Sequence, residues 1–456
     1  MKNFTRREVV FGLTVGCVGG ALPLKIAFGG TRDQNWLLSL DSASKVTDGN
    51  GATVLISSPV TLRAGYYANI KFIPAEGYEG PGPIFVARNG IVMHENVSVT
   101  GFVGGGCKVL SKLDKGNSFV VVGDCSYSRN GNLKRTQLVE HADLRFVTSV
   151  KVLDASLFDI GDYIWIGDGK FKVEHIYGNE IYLEKGGFPN VISPKVYSGA
   201  YDKCVSGQYV TLDADDRNGI RIGDGGYAWN IDTSKAKIEC SGNAWFGMFH
   251  YCKKYFGEQI IENVISLGNG YCNIGLGYMN NGVVKDCISR DAGNNGIDIF
   301  ESRGRVEISD NVVSGAGVDG IFVGGNGETA KISNNEVSHC HRIGILINAR
   351  GRPIKNVFVK SNRVTNAGMN SLTLTGVESG NVVDNTLDGS TLREAIYLEK
   401  RKGLDLSGEL IIKGNIIVNS VVGDISTNYS GYVNNSKAKV LIQSSRKLKV
   451  TGIEGY

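Results

Sequence analysis

Proline is scarce in this chain, with 8 residues among 456, whereas glycine is abundant with 62. Average proteins contain ~5% proline and ~7% glycine, so glycine is about twice as frequent as usual and proline less than half as frequent. Glycine without proline and without a G-X-Y period excludes collagen-like chains and proline-rich linkers. The composition instead indicates many tight turns between regular strands.

The chain also lacks a charge imbalance and cysteine motifs. Lys and Arg total 49 against 45 Asp and Glu, a formal net charge of +4, which is too weak to predict nucleic-acid binding. The nine cysteines are odd in number and form no CxxC, so neither a disulfide framework nor a zinc site is predicted. His339, Cys340 and His341 are consecutive, and three neighbours on a turn rarely converge on one ion. The sequence therefore predicts no metal and no cofactor.

Long apolar runs are missing beyond residue 30, where nothing approaches the ~18–20 residues of a membrane-spanning helix. Residues 5–11 read TRREVVF, and an apolar run follows to Leu24. Paired arginines before such a run resemble a twin-arginine export signal, which implies export to the periplasm or outside the cell. Lys25 stands where cleavage after Ala27 requires a small residue. An uncleaved anchor, or a peptide that attaches the protein to a virion tail, therefore remains an alternative.

Seven similar segments repeat through the second half of the chain, 23 to 30 residues apart. One column of their alignment is almost entirely asparagine: Asn263, Asp286, Asn311, Asn335, Asn362, Asn385 and Asn415. A second column, ten or eleven residues later, is apolar: Ile274, Ile297, Ile321, Ile345, Leu372, Ile396 and Ile425. Around the apolar column, apolar and polar residues alternate, which is typical of a strand with one buried face.

Each repeat contains short strands and no amphipathic helix, which excludes helical repeat architectures. Propeller blades need ~40 residues each, more than the repeats offer. Stacked units that bury a continuous core predict an all-β fold, a single-stranded parallel β-helix with one turn per repeat. Asparagine side chains stacked at ~4.8 Å would hydrogen-bond from turn to turn, so their column is predicted to be structural.

These repeats resemble the right-handed parallel β-helix of pectate-lyase-like proteins, which include polysaccharide lyases, hydrolases, epimerases and phage tailspike depolymerases. The resemblance covers about 259–433 and extends upstream through strand candidates at 210–222 and 237–248. It implies a polysaccharide as partner and, for a tailspike, a homotrimer. The motif sets of polygalacturonases and the Asp-Pro-His motif of periplasmic alginate epimerases are absent, so the resemblance selects no single activity.

Five regions are predicted along the chain. A signal or anchor occupies 1–30, an N-terminal β region with the first turns 31–140, and a small antiparallel β insert 141–200. The repeats follow over 201–433, and a C-terminal β cap over 434–456. The insert is predicted from dense alternation over 146–185, with hairpin signals at 167–169 and 177–180.

The candidate site is predicted on the outer face of the repeats, between the buried columns. The register there predicts one outward column of Asp224, His250, Tyr278 and Glu301, with Arg221 and Asp298 beside it. Glycines at 247, 275 and 325 are expected to leave room for a ligand. Because strand faces alternate, a register slip of one residue would turn outward groups inward.

Two reactions fit these residues. A glycoside hydrolase needs two carboxyl groups across the bond, for which Asp298, Glu301 and Asp319 are the candidates. A lyase needs a base and a cation for the uronate carboxylate. Tyr278 or His250 would serve as base, with Arg221, Arg303 or Lys254 as cation. Asp224 and Tyr251 are predicted as further substrate contacts.

The functional prediction is accordingly a polysaccharide-degrading β-helix protein, a lyase or a hydrolase acting on capsular polysaccharide or exopolysaccharide. It would be either exported by a bacterium or carried as a phage tailspike. The alternative is a non-catalytic β-helix protein that binds polysaccharide or supports exopolysaccharide assembly.

Overall fold

A computed structural model describes residues 30–43, 45–87, 89–111, 113, 115–144, 146–184, 203–204, 206–225, 229–252, 257–399, 409–427, 439–443 and 450–451. These residues form a right-handed parallel β-helix of about 14 turns, which confirms the fold class predicted from the repeats. The twin-arginine-like segment lies outside the described residues. In the part of the chain that the structure describes, no helix is long and apolar enough to cross a membrane.

Two long parallel sheets run the length of the stack, and each regular turn contributes one strand to the first sheet and two to the second. The first, which we call the site sheet, contains Thr61–Leu62, Ile84–Ala87, Cys107–Ser111, Ile220–Gly225, Met248–Cys252, Ile274–Leu276, Ile297–Ser302, Ile321–Gly325, Ile345–Ala349, Leu372–Thr375, Ile396–Glu399, Ile425–Thr427 and Val450–Thr451.

The second sheet, which we call the back sheet, has 23 strands. They are Thr31–Asp33, Val46–Ile56, Tyr66–Pro74, Ile91–Thr100, Asn117–Val121, Cys125–Ser128, Trp229–Asp232, Ile238–Ser241, Glu258–Glu262, Val264–Leu267, Asn281–Lys285, Ile288–Arg290, Arg305–Ser309, Val312–Ser314, Thr329–Ser333, Glu336–Ser338, Ile354–Lys360, Arg363–Thr365, Val377–Val383, Thr386–Asp388, Glu409–Lys413, Ile416–Val418 and Lys439–Gln443.

The core lies between the two sheets and is built by alternate residues of every strand. The predicted apolar column is in register, since Ile274, Ile297 and Ile321 are paired strand to strand and fully buried. Alternation in a strand sends every second side chain to one face. The residues between these positions therefore lie on the outer surface of the site sheet.

Five members of the predicted asparagine column form a ladder, and all of them except Asn415 are buried. Asn311, Asn335 and Asn362 each donate from Nδ2 to Oδ1 of the asparagine on the next turn, at 2.9, 2.9 and 3.0 Å, and Asn385 continues the ladder to Asn415 at 2.8 Å. The sequence alignment placed the first two members of the predicted column, Asn263 and Asp286, one residue before the true ladder position. At the second of those turns Cys287 takes the ladder position, and Asn263 and Asp286 instead have left-handed backbone, with φ of 59° and 52°.

The insert is an antiparallel sheet of six strands, in the order Arg135–Gln137, Tyr209–Leu212, Tyr163–Ile166, Gly169–Tyr177, Glu180–Leu183 and Ser149–Lys151. Ala142–Asp143 and Lys203–Cys204 form a small second sheet beside it. The expectation that 210–212 is an upstream turn of the stack is wrong, because Tyr209–Leu212 pairs antiparallel with strands of the insert. The insert has its own apolar core.

The two ends of the described stack differ. At the N-terminal end the helix Gln34–Ala43, which the sequence patterns did not predict, packs Leu37 into the core. Asp33 Oδ1 accepts a hydrogen bond of 2.9 Å from the Trp36 backbone N–H, a helix N-cap contact. At the C-terminal end, Lys439–Gln443 and Val450–Thr451 add one further parallel strand to each sheet.

Candidate functional site

The outer face of the site sheet brings together residues from five consecutive turns. Pairing aligns Arg221, Phe249, Gly275, Asp298 and Phe322 in one column. Arg221, Gly275 and Asp298 thus lie where the sequence analysis expected them, on the surface opposite the core. Neighbouring strands are about 4.8 Å apart, so the column from Arg221 to Phe322 extends over roughly 19 Å.

Five aromatic side chains cover this face, and we call them the aromatic platform: Phe246, Phe249, Tyr251, Tyr278 and Phe300. Phe246 stacks on Phe249 with ring centroids 4.2 Å apart, and Tyr251 stacks between Phe249 at 5.9 Å and Phe300 at 6.3 Å. Tyr278 contacts Tyr251 edge to face at 5.6 Å. Such rings offer flat apolar surfaces with limited conformational freedom, which suits the faces of sugar rings.

The rings of the aromatic platform fill the space above the glycines beneath it. A Cβ at Gly275 would lie 2.3 Å from a ring carbon of Phe246, and one at Gly277 would lie 2.3 Å from Phe300. Gly247 and Gly325 are closed in by Ser266 and by the Ser302 backbone. The expectation that glycines 247, 275 and 325 leave room for a ligand is therefore wrong, because a serine side chain, an aromatic ring and backbone atoms already fill the space beside them.

Asp298 lies just below this surface and is 7% exposed. Its Oδ2 accepts hydrogen bonds from Cys272 Sγ at 3.3 Å and from Asn295 Nδ2 at 3.2 Å. Its Oδ1 is shut off from solvent and has no hydrogen-bond partner. Burial disfavours the carboxylate and raises the pKa of Asp298 to about 6, so the protonated form is accessible under mildly acidic conditions.

Glu301 lies on the same strand as Asp298 and forms an ion pair with Arg350. Glu301 Oε1 is 3.5 Å from Arg350 Nη1, and both side chains are partly exposed. The guanidinium of Arg350 also lies over the Phe322 ring at 5.8 Å, and its charge opposes the rise in the pKa of Asp298. A buried acid and a paired carboxylate therefore share one strand beside the platform.

Asp319 is fully buried and held by Arg342. Arg342 donates from Nε to Asp319 Oδ1 at 2.8 Å and from Nη2 to Oδ2 at 2.6 Å. Its remaining nitrogen, Nη1, hydrogen-bonds to Asp168 in the hairpin turn of the insert. Both carboxylate oxygens of Asp319 are thus occupied, so its geometry suits an anchor between insert and stack rather than contact with a polymer.

His250 does not lie on the outer face. The expected register at this turn is wrong, because Met248, not Phe246, takes the core position and pairs with Ile220 and Ile274. His250 therefore points inward, between Ile222 and Leu276, and is fully buried with neither ring nitrogen hydrogen-bonded. Burial lowers the pKa of His250 to about 4. A base in this position would not reach a bound polymer.

The remaining predicted contacts differ in position. Arg221 donates from Nη1 to Asp216 and lies 5.9 Å from the centre of the Phe249 ring. Arg303 is exposed just after the Asp298 strand. The backbone of Asp224 belongs to the strand Ile220–Gly225, and Lys254 lies outside the described residues.

The insert supplies an aromatic wall that the sequence patterns did not indicate. Trp165 of the insert contacts Tyr271 of the stack at 5.3 Å, and Tyr271 stacks on Trp245 at 4.2 Å. Trp165 Nε1 donates to Asp213 Oδ1 at 3.0 Å. Nearby, Asn294 Nδ2 donates to the Gly167 carbonyl at 3.0 Å. The insert is thereby fixed against the turns that carry Asp298 and Asp319.

The fold and its outer face together define a right-handed parallel β-helix protein. A family model described as "Periplasmic copper-binding protein (NosD)" matches residues 201–392. No curated protein matches the chain.

Among solved structures, the chain is similar to the periplasmic alginate epimerase AlgG, at 10% identity and a TM-score of 0.42, over 91% of this chain and 84% of that one. It is also similar to the Dettilon tailspike protein, at 13% identity and 0.40, over 92% and 67%. The A-module of the Azotobacter vinelandii mannuronan C-5 epimerase AlgE4 matches at 10% and 0.35, over 93% and 98%.

Proposed function

We propose that this protein binds an extended polysaccharide along the outer face of the site sheet and hydrolyses it, with Asp298 as the proton donor. The observation that carries the proposal is the Asp298 carboxyl group. It lies beside the aromatic platform, burial raises its pKa to about 6, and its Oδ1 has no hydrogen-bond partner. A general acid near neutral pH needs such a raised pKa.

In the proposed reaction, Asp298 gives its proton to the glycosidic oxygen as the bond between that oxygen and the anomeric carbon breaks. The bonding electrons stay with the departing oxygen, which leaves as a hydroxyl group. Glu301 is the proposed second carboxylate, which takes a proton from the water that adds to the anomeric carbon. Two carboxyl groups in these roles are the usual requirement for glycoside hydrolysis.

The position of one candidate base and the ion pairs of two arginines favour hydrolysis over elimination. His250, one of the two candidate bases for a lyase, points into the core. Arg221 is engaged by Asp216, and Arg350 by Glu301. A lyase that used either of these cations to hold a uronate group would have to draw it away from its carboxylate.

A second candidate function is polysaccharide binding without cleavage. It is supported by Asp319, whose two oxygens are both occupied by Arg342, and by the depth at which Asp298 lies. In this case the aromatic platform alone would provide the binding surface, and Asp298 would be a buried polar group.

Copper binding, which the family description names, does not fit the described side chains. Cys340 is buried in the core, whereas His339 contacts Asn366 and His341 contacts the Ala316 carbonyl. These three neighbours therefore point in different directions. Within the described ranges, no three His, Cys, Asp or Glu side chains are grouped so as to hold a metal. We therefore propose no function through copper.

We also propose that the protein is exported, by the twin-arginine route if residues 1–30 act as a signal, or is carried on a virion tail as a homotrimer. A fusion of the N-terminal segment to a reporter, compared with an R6K/R7K variant, tests the first arrangement. Sedimentation of the full chain tests the second, because a trimer has three times the monomer mass of 49.0 kDa.

The test of the function is a turnover assay with a panel of capsular polysaccharides and exopolysaccharides, following reducing ends and ultraviolet absorbance. Wild type, D298N and E301Q would be compared with E336Q, a control at an exposed position on the back sheet. We expect reducing ends without an unsaturated product, a loss of about 10²-fold or more in D298N, and no loss in E336Q. Absorbance from an unsaturated product would contradict hydrolysis, and binding without turnover would favour the second candidate.

A further inference from the structure

The carboxyl group of Asp298 is held at only one of its two oxygens. Oδ2 receives both hydrogen bonds, from Cys272 Sγ at 3.3 Å and Asn295 Nδ2 at 3.2 Å. Cys272 belongs to the preceding turn, just before the strand Ile274–Leu276, whereas Asn295 lies three residues before Asp298. Oδ1 is buried and has no partner. The two oxygens are therefore chemically unequal before any ligand arrives.

Cys272 is suited to donate and not to accept a proton here. Its side chain is fully buried, and burial together with the charge of Asp298 raises the pKa of the thiol well above its usual range. The thiol thus stays protonated, and its S–H is a weak donor. The amide of Asn295 is likewise a donor through Nδ2 and cannot take up a proton at ordinary pH. Neither group competes for the proton of Asp298.

We propose that Cys272 and Asn295 are positioning residues that occupy Oδ2 of Asp298 and thereby leave its proton on Oδ1. This inference rests on the proposed role of Asp298 as proton donor. When the Oδ1–H bond breaks and the proton moves to the glycosidic oxygen, both electrons of that bond remain on the carboxylate. The S–H and N–H donors at Oδ2 then stabilise the negative charge, because hydrogen bonds to an ionised acceptor are stronger than those to a neutral one.

The thiol also sets how easily the proton leaves. Removing a donor from the carboxylate disfavours its charged form, and a stronger donor favours it. A hydroxyl group is a stronger donor than a thiol. C272A is therefore expected to raise the pKa of Asp298, whereas C272S is expected to lower it, each by about half a unit or more.

The experiment follows the titration of Asp298 directly in the full chain, by carbon NMR of labelled aspartate carboxyl groups assigned by comparison with D298N. C287A is the matched control, since Cys287 is also buried but lies in the core. We expect opposite shifts in C272A and C272S and none in C287A. If neither Cys272 variant moves the titration, or both move it in the same direction, the positioning role is wrong.

The pH profile of cleavage separates this inference from the proposed function. If cleavage is found and one limb of its pH profile shifts in C272S, both the positioning role and the proposed function are supported. If the titration shifts in the NMR experiment but no polymer is cleaved by any form, the contact to Cys272 is supported and the proposed function fails. If cleavage is found and its pH profile is the same in wild type, C272A and C272S, the positioning role fails while the function stands.

Discussion

Arg342 and Asp168 are 174 positions apart in the sequence, yet their side chains are hydrogen-bonded where the insert meets the stack. Arg342 simultaneously holds Asp319 through two further hydrogen bonds of 2.8 and 2.6 Å. One buried guanidinium thus joins the hairpin turn of the insert to the turn that follows Asp298. The insert is fixed to the candidate site through this contact.

Two substitutions separate the roles of this guanidinium. R342M leaves the Asp319 carboxylate buried without its ion-pair partner, with only the hydrogen bond from the Ile343 backbone N–H remaining, and breaking a buried pair in this way costs about 3–5 kcal/mol. D168N keeps the Asp319 pair intact and removes only the charge on the insert side, so the expected loss is smaller, about 1 kcal/mol. Urea unfolding measures both losses. Equal losses in the two variants would contradict the assignment of Asp319 as the buried partner.

The pH dependence of stability should carry the signature of Asp298. The pKa of Asp298 is raised from 3.8 to about 6 in the folded protein, so the native state binds more protons than the unfolded chain between these values. Stability from this group is therefore lost as pH rises from about 4 to 6, by roughly 3 kcal/mol in total. D298N cannot ionise at this position. It should be as stable as wild type at about pH 4 and more stable than wild type towards neutral pH. Denaturation midpoints at a series of pH values measure this difference.

His250 should change stability with pH in the opposite direction. Burial lowers its pKa from 6.5 to about 4, so the unfolded chain binds a proton that the native state does not. Stability is lost as pH falls from about 6.5 towards 4, by roughly 3 kcal/mol. H250L should remove this acid sensitivity and leave polymer binding unchanged, because His250 points into the core. A drop in polymer affinity in H250L would contradict the inward register.

The asparagine ladder predicts unequal effects at two adjacent positions. Asn335 donates to the Ile308 carbonyl and to Asn362, and accepts two hydrogen bonds from Asn311. N335A should therefore cost about 3 kcal/mol or more. Asn334 makes one exposed side-chain hydrogen bond and has a φ of 56°, which glycine adopts freely. N334G should change stability by less than about 0.5 kcal/mol, so thermal unfolding of the pair tests the ladder.

The regular part of this fold is predictable because its signal is periodic. Asn311 to Asn415 and the isoleucine column recur at one turn's spacing, and each turn is packed only against its neighbours. The turn at 246–252 breaks this regularity: Phe246 resembles a core residue in sequence but stacks on Phe249 outside the core. With Phe246 as the first core residue, His250 is four residues beyond it and falls in the predicted outward column. With Met248 in that position, His250 takes the second core position, beside Ile222 and Leu276.

The candidate site is only partly predictable for a different reason. Asp298 follows from the register alone, since it lies one residue after the apolar column. The contacts of Arg342 with Asp168 and of Tyr271 with Trp165 join segments more than a hundred residues apart. No local pattern of sequence records such pairs, and the environment that raises the pKa of Asp298 depends on them in part.

The insert also separates two turns that are neighbours in the stack. Asn130 and Asn243 are hydrogen-bonded across this junction although they are 113 positions apart, whereas the ladder contacts further on, from Asn311 to Asn385, close loops of 23 to 27 residues. Contacts between residues far apart in the sequence form late, because closing a longer loop costs more conformational entropy before the contact can stabilise the chain. The C-terminal turns should therefore nucleate folding, and the N-terminal turns should join them in a slower step limited by folding of the insert.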